Sequence, residues 1–175
     1  MRMAAFLDRD GTLNKTVWKN GKPRPPYSYT QAEIIPGTLE AIDNLRKLKY
    51  IPVIITNQPD VSRGKLSLED VNFINKKICK LLKIEFIYMC VHDDKDNCEC
   101  RKPKPGMIFK AAADLELDLS NSILIGDRWR DIHAGQAAGC KSFLIKSNYN
   151  ELKPNHPYET VSSLLALSKK LKGAN

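Results

Sequence analysis

Two carboxylates stand two residues apart directly after an apolar run, in Phe6-Leu7-Asp8-Arg9-Asp10-Gly11-Thr12. Such a pair can supply a nucleophile and a proton donor, or it can be an acidic turn. Three further groups follow in order. Thr56-Asn57-Gln58 ends a second apolar run, although Thr and Asn are also ordinary turn residues. Arg101-Lys102-Pro103-Lys104-Pro105-Gly106 reads alone as a basic, Pro-rich loop. Gly126-Asp127-Arg128-Trp129-Arg130-Asp131 closes another apolar run and could serve as a helix cap.

A fifth group offers metal ligands. Cys90-Val91-His92 and Cys98-Glu99-Cys100 form a C-x-H…C-x-C cluster just before Arg101. Four soft or borderline donors in one loop match closed, tetrahedral zinc. With Cys90, His92, Cys98 and Cys100 filling every position, Zn²⁺ would be structural and would fix the loop carrying Arg101 and Lys102. A reading of these cysteines as core residues fits poorly with the intervening Asp93, Asp94, Lys95, Asp96 and Asn97.

The elements that must position these groups alternate. Met3 to Leu7 reads as a buried strand. Leu39, Ile42, Leu45 and Leu48 recur at threes and predict a helix after Pro36-Gly37. Ile51 to Ile55 is a second strand. Ser67, with Asp70 three residues on, opens a helix through Val71, Ile74, Ile78 and Leu81. Phe86 to Met89, Ser122 to Ile125 and Ser142 to Ile145 are further strands. Helices are expected over Ile108 to Leu115, over Asp131 to Ala138, and at the end through Val161, Leu164, Leu165 and Leu167. Strands separated by helices imply a Rossmann-like parallel α/β sheet with helices on both faces. Ligands of such sheets bind beyond the carboxyl ends of the strands, where three of the four motifs stand.

The chain has 175 residues, 42% of them hydrophobic, and a net charge of +8. That length suits one domain over 1–175 with its own core. The first apolar run is too short for a signal peptide or a membrane span, so a cytoplasmic setting is expected, in which the five cysteines serve as thiols or metal ligands. Excess basic charge means a solvated surface or attraction of an anionic substrate. No aromatic-basic interleaving points to nucleic acid.

The order of acid pair, hydroxyl, lysine and acid resembles the haloacid dehalogenase (HAD) superfamily across essentially the whole domain. The resemblance implies a phosphatase that uses Mg²⁺ and a phospho-aspartyl intermediate. Asp8 would be the nucleophile, and Asp10 the general acid and base. Thr56 and the backbone near Asn57 would hold the phosphoryl oxygens, and Lys102 would balance charge. Asp8, Asp127 and the carbonyl of Asp10 would hold the magnesium, with Asp131 orienting a metal-bound water. An acid at Asp10 separates phosphatases from dehalogenases and P-type ATPases. Only some forty residues lie between the first two motifs, too few for a cap domain beside the core helix.

The zinc cluster beside Arg101-Lys102-Pro103, together with Thr56-Asn57-Gln58 and Arg63-Gly64, resembles a narrower group. These are the D-glycero-D-manno-heptose 1,7-bisphosphate phosphatases and the related histidinol phosphatases. The implied substrate is a sugar bisphosphate handled by a monomer, with Asn57, Arg101 and Arg128 contacting it. A histidinol phosphatase, a nucleic-acid 3′-phosphatase and a non-enzymatic phosphoryl-binding scaffold are the alternatives. The chain departs from the group in its short His92-to-Cys98 spacing and in Pro59-Asp60, where a Ser-Gly pair is usual. It also carries an insert from Lys15 to Ile35, either a flap whose aromatics stack on a sugar or simple surface packing.

Overall fold

The computed structural model describes residues 2–173. Its centre is β1 (Met3–Leu7), flanked by β4 (Tyr50–Asn57) and β6 (Ile123–Gly126). Outward from these lie β5 (Phe86–Cys90) on one side, and β7 (Lys141–Ile145) and β8 (Glu159–Val161) on the other. The order is β5-β4-β1-β6-β7-β8, and every pairing is parallel.

The pleat of β1 explains why helices cover both faces. Successive side chains point to opposite sides, so Ala5 and Leu7 enter one core while Ala4 and Phe6 enter the other. The first core is covered by α1 (Thr38–Lys47), α2 (Leu68–Leu82) and α5 (Leu164–Gly173), through residues such as Ile42, Ile74 and Leu167. The second is covered by α3 (Gly106–Leu115) and α4 (Trp129–Ala137), through Met107, Ile108 and Ile132. Full burial of a side chain such as Phe6 or Ile132 is worth about 1.5–3 kcal/mol. The expected Ser67 cap forms, with its hydroxyl 3.0 Å from the Asp70 amide nitrogen.

Four details differ from the sequence reading. Val161 lies in β8 rather than in the last helix, because it pairs with Ile145 at the sheet edge. Helix α4 begins at Trp129, two residues before Asp131. Leu39 and Leu81 carry the helical period but remain 41% and 48% exposed, so they do not belong to the core. The insert contains a hairpin, β2 (Val17–Lys19) and β3 (Lys22–Arg24), turning at Asn20-Gly21 with both residues at positive φ. Among the described residues, no helix is long and apolar enough to cross a membrane.

Candidate active site

Register places the motifs together. Leu7 lies opposite Ile54 on one neighbour and Ile125 on the other. Asp8, Thr56 and Asp127 therefore emerge within two residues of one another at the carboxyl ends of three adjacent strands. Gly11, at φ +92°, lets the first loop fold down onto Asp127; a Cβ there would lie 1.9 Å from Asp127 Oδ2. Gly126 is needed for the same reason, since a Cβ would meet the Asp131 side chain at 2.3 Å.

Lys102 reaches this point from the loop after β5 and is 2% exposed. Its Nζ donates to Asp8 Oδ1 (2.6 Å), Asp131 Oδ1 (2.6 Å) and the Ile55 carbonyl (2.9 Å). All three ammonium protons are thereby used. Asn57 locks the lysine backbone through two bonds. Its Nδ2 donates to the Lys102 carbonyl (3.0 Å), and its Oδ1 accepts from the Lys102 amide (3.1 Å). Asp131 Oδ2 accepts from the Arg128 amide at 3.0 Å, so both of its oxygens are engaged.

Asp127 differs from the other two acids. It is 2% exposed, and neither carboxylate oxygen makes a well-aligned hydrogen bond, although the Tyr149 hydroxyl stands beside it and, with the Arg128 guanidinium, acts to lower its pKa. Donor oxygens of Asp8, Asp127 and Asp131 all lie within 4.8 Å of one another. Burial pushes the Asp8 carboxyl up to about 7, opposed by Lys102 and reinforced by Asp131 and Asp10. Asp127 is raised well above the usual carboxylate range, by burial first and then by Asp8 and Asp131. Burial acts against the Lys102 ammonium, but Asp131 and Asp8 outweigh it and raise its pKa. Three buried carboxylates against one ammonium leave negative charge uncompensated. An oxygen-coordinated divalent cation fits that deficit.

Asp10 also borders the cavity above these acids, but with a different set of partners. Its Oδ1 accepts from Arg9 Nε (3.1 Å) and Asn14 Nδ2 (2.9 Å), and its Oδ2 from Arg9 Nη2 (2.8 Å) and Gln58 Nε2 (2.7 Å). Gln58 also donates to Thr56 Oγ1 at 2.9 Å. Arg9 and Gln58 stood inside the motifs with no role assigned to them, and Asn14 did not stand out in the sequence. Arg9 carried the one available signal, a charged residue caught between a buried strand and a tight Asp-Gly-Thr turn.

A cavity of about 590 Å³ opens above these groups, lined among others by Asp8, Asp10, Asn57, Arg101, Lys102, Arg128 and Asp131. Thr56 and Asp127 lie beneath it, 1% and 2% exposed. Arg101 donates through Nε to Asp94 Oδ1 (2.9 Å) and through Nη1 to the His92 carbonyl (3.2 Å). Arg128 sits 3.5 Å from Glu151 and over the Tyr149 ring at 5.0 Å. The insert contributes Thr16, Lys22, Pro23, Arg24 and Pro25 to the wall, whereas Trp18, Tyr27 and Tyr29 are not among the lining residues. Trp18 stands 6.0 Å from Tyr149, Tyr29 packs 5.0 Å from Phe73 on α2, and Tyr27 donates to Asp60 Oδ2 at 2.5 Å. These contacts show the aromatics packed against surface neighbours, with Trp18 and Tyr29 still 55% and 47% exposed.

Asp60, at one of the departing positions, is 6% exposed and also accepts from Arg63 Nη1 at 3.2 Å. Arg63 in turn holds Asp93 through two bonds of 2.8 and 2.6 Å. Insert, second motif and cysteine loop are thus laced together.

The cysteine loop gathers its four donors. Sulfur separations are 3.7 Å (Cys90–Cys98), 3.2 Å (Cys90–Cys100) and 3.5 Å (Cys98–Cys100). His92 Nδ1 lies 3.6 Å from Cys90 Sγ and 3.3 Å from Cys100 Sγ. A tetrahedron with bonds of ~2.3 Å has an edge of about 3.8 Å, close to these values. Burial works against the Cys98 thiolate, but the Arg101 amide and the neighbouring thiols bring its pKa down to about 7. The cluster could bind zinc.

Comparison with known proteins agrees with this architecture. Residues 99–167 match the HAD-hydrolase-like family. The D-glycero-β-D-manno-heptose-1,7-bisphosphate 7-phosphatase of Pasteurella multocida is 32% identical, over 98% of this chain and all of that protein. The D-glycero-α-D-manno-heptose-1,7-bisphosphate 7-phosphatase of Photorhabdus laumondii is 34% identical over 94% of each chain. The crystal structure of the D,D-heptose 1,7-bisphosphate phosphatase from B. bronchiseptica, complexed with magnesium and phosphate, superposes with a TM-score of 0.87 at 28% identity over the full length of both. The chain belongs to the heptose-bisphosphate phosphatase family of the HAD-like hydrolases.

Proposed function

We propose that this chain is a phosphoric monoester hydrolase that removes the C7 phosphate of D-glycero-D-manno-heptose 1,7-bisphosphate. The observation that carries the reading is the buried group of three carboxylates, Asp8, Asp127 and Asp131, at the floor of the cavity with one ammonium among them. Such a floor suits a divalent cation and the phosphate it would accompany.

Asp8, Asp127 and the carbonyl of Asp10 would hold Mg²⁺, which when bound neutralises phosphoryl oxygens and orients them. Lys102 keeps Asp8 in place and offsets charge as the phosphoryl group arrives. An Asp8 oxygen attacks phosphorus, and the bond from phosphorus to the sugar oxygen breaks. Asp10 gives that oxygen its proton. Asp10 then takes a proton from water, whose oxygen attacks phosphorus as the bond to Asp8 breaks. Inorganic phosphate leaves, and both carboxyl groups regain their starting states. Asn57 serves chiefly by fixing Lys102, and Thr56 by donating its hydroxyl hydrogen to a phosphoryl oxygen while it accepts from Gln58. A wall carrying Lys22, Arg24, Lys65, Arg101, Arg128 and Arg130 favours a substrate with a second anionic group. Zinc in the cysteine loop has no place in the chemistry and would hold Arg101 and Lys102 in position. The single unit 1–175 would act as a monomer in the cytoplasm.

Phosphate release from a panel tests the assignment: both heptose bisphosphate anomers, histidinol phosphate and a 3′-phosphorylated oligonucleotide, each with magnesium. The expected result is a kcat/KM for one heptose anomer at least tenfold above the rest. Preference for histidinol phosphate or the oligonucleotide overturns the substrate. Failure on all four overturns the activity.

A further inference from the structure

We propose that Arg9 is a positioning residue for proton transfer by Asp10, an inference that rests on the phosphatase reading above. The side chain of Arg9 is fully buried, at 0% exposure. A buried guanidinium is costly unless paired and hydrogen-bonded. Its pairing is selective: Nε and Nη2 grip the two oxygens of Asp10 at 3.1 and 2.8 Å, while Nη1 donates to Asn75 Oδ1 at 2.6 Å. The planar fork fixes the plane of the carboxylate, which a single ammonium could not do.

The brace behind it is equally buried. Asn75 lies on α2 at 5% exposure and donates through Nδ2 to Met89 Sδ at 3.4 Å, which leaves Oδ1 facing the guanidinium. A line of contacts therefore runs from α2 through Asn75 and Arg9 to the one carboxylate that must move a proton.

That carboxylate is also saturated. Arg9, Asn14 and Gln58 donate four bonds, two to each oxygen, and a carboxylate offers about four acceptor sites. A leaving oxygen or a water can reach Asp10 only when one donor yields. Gln58 already shares its amide with Thr56 Oγ1, so it has another acceptor ready. Among the described residues the Arg9 side chain bonds only Asp10 and Asn75, and so it stays and sets the angle at which the 15%-exposed Asp10 meets the cavity.

The test uses the full chain with magnesium, the preferred sugar phosphate and an aryl phosphate such as 4-nitrophenyl phosphate. An aryl leaving group departs without much help from a proton, whereas a sugar alkoxide needs one. Arg9→Met should lower kcat on the sugar phosphate by about 10–100-fold and on the aryl ester by less than about threefold, with KM little changed, since positioned proton transfer contributes on the order of 10²–10⁴. Arg9→Lys should recover part of the loss. In an Asp10→Asn background, Arg9→Met should cost nothing further on either ester. Equal losses on both esters, or a full multiplicative loss in the Asp10→Asn background, would mean that Arg9 merely supports the fold, and would overturn the proposal. Should Arg9→Met fail to fold, Asn75→Ala goes through the same cycle, with a smaller but equally ester-selective loss expected and the same results overturning it. An Asp10→Asn variant that lowers both esters alike defeats the general-acid reading itself; ester selectivity in Asp10→Asn without it in the Arg9 or Asn75 variants defeats only this inference.

Discussion

Replacing Asp127 by asparagine should make the metal-free protein more stable while abolishing turnover. The carboxylate is 2% exposed, makes no well-aligned hydrogen bond beyond the neighbouring Tyr149 hydroxyl, and shares its space with Asp8 and Asp131. Holding an unpaired ion in such a place costs several kcal/mol after relaxation, and neutral replacements of buried ions recover about 1–4 kcal/mol. The amide keeps the shape of the side chain, removes the repulsion, and brings donors to face Asp8. In a chain of this length ~1 kcal/mol moves Tm by about 2–4 °C, so a rise on the order of 5–10 °C is expected in chelator.

The pH dependence has a definite sign. The folded-state pKa of Asp127 is raised, so the native protein binds a proton that the unfolded chain has already lost. Wild-type stability from this group is therefore retained at low pH and lost as pH rises through the folded pKa. The advantage of Asp127→Asn should grow towards alkaline pH and shrink in acid. Magnesium should cancel most or all of this advantage, because ligand at 100 times its Kd stabilises the wild type by about 2.7 kcal/mol and the variant hardly at all. Thermal melts at pH 8.5 and 5.5, in chelator and in magnesium, read all four combinations. If Asp127→Asn melts below wild type in chelator at pH 8.5, the carboxylate is not an uncompensated charge, and the argument for a cation at this floor collapses.

Asp8→Asn should fold normally and show no steady-state phosphate release; measurable turnover in a pure, folded sample removes Asp8 as nucleophile. Cys98→Ser should lose one zinc per chain by elemental analysis, lower Tm, and reduce activity even in saturating magnesium, because metal binding contributes directly to local folding. Zinc-free wild type, or a fully active and equally stable variant, contradicts this. Tyr27→Phe removes the bond to Asp60 and should cost about 1–2 kcal/mol. It should also raise KM for the sugar substrate several-fold while leaving kcat on an aryl ester nearly constant; an unchanged KM would detach the insert from substrate binding.

The chemistry was legible where residue type and strand position coincide. Asp8, Thr56 and Asp127 could be placed because an apolar run ends just before each of them or at it, and because parallel sheets put such ends side by side. The cysteine loop was legible through spacing alone. Arg9, Asn14 and Gln58 were not, because their part is defined by a carboxylate they meet only after the turn has folded, and Asn75 lies 66 positions from the arginine it braces. Asn57 was expected to serve the substrate, with the backbone near it holding phosphoryl oxygens, and it does line the cavity; that its side chain also binds the Lys102 backbone, across 45 positions, is a contact no local pattern reveals. Strand β8 has three residues and a single buried apolar side chain, too little for any period to register. The hairpin at Asn20-Gly21 was the opposite case, a strong local turn signal hidden inside a stretch treated as one irregular insert.

The central position of β1 has a consequence for how such a protein can diverge. Its alanines and its Phe6 are shut in by helices on both faces and strands on both edges, so almost any change there disturbs one of the two cores. Asp8, the proposed nucleophile, hangs from this least editable segment. The insert, the Pro59-Asp60 turn, the cysteine loop and the segment after β7 meet one another mainly through side-chain pairs at the cavity rim, such as Tyr27 with Asp60, Arg63 with Asp93 and Trp18 with Tyr149. Each pair can be exchanged without moving a strand. Descendants of this chain can therefore drift from one phosphorylated metabolite to another by rewriting the rim two residues at a time, while the reaction itself is inherited unchanged.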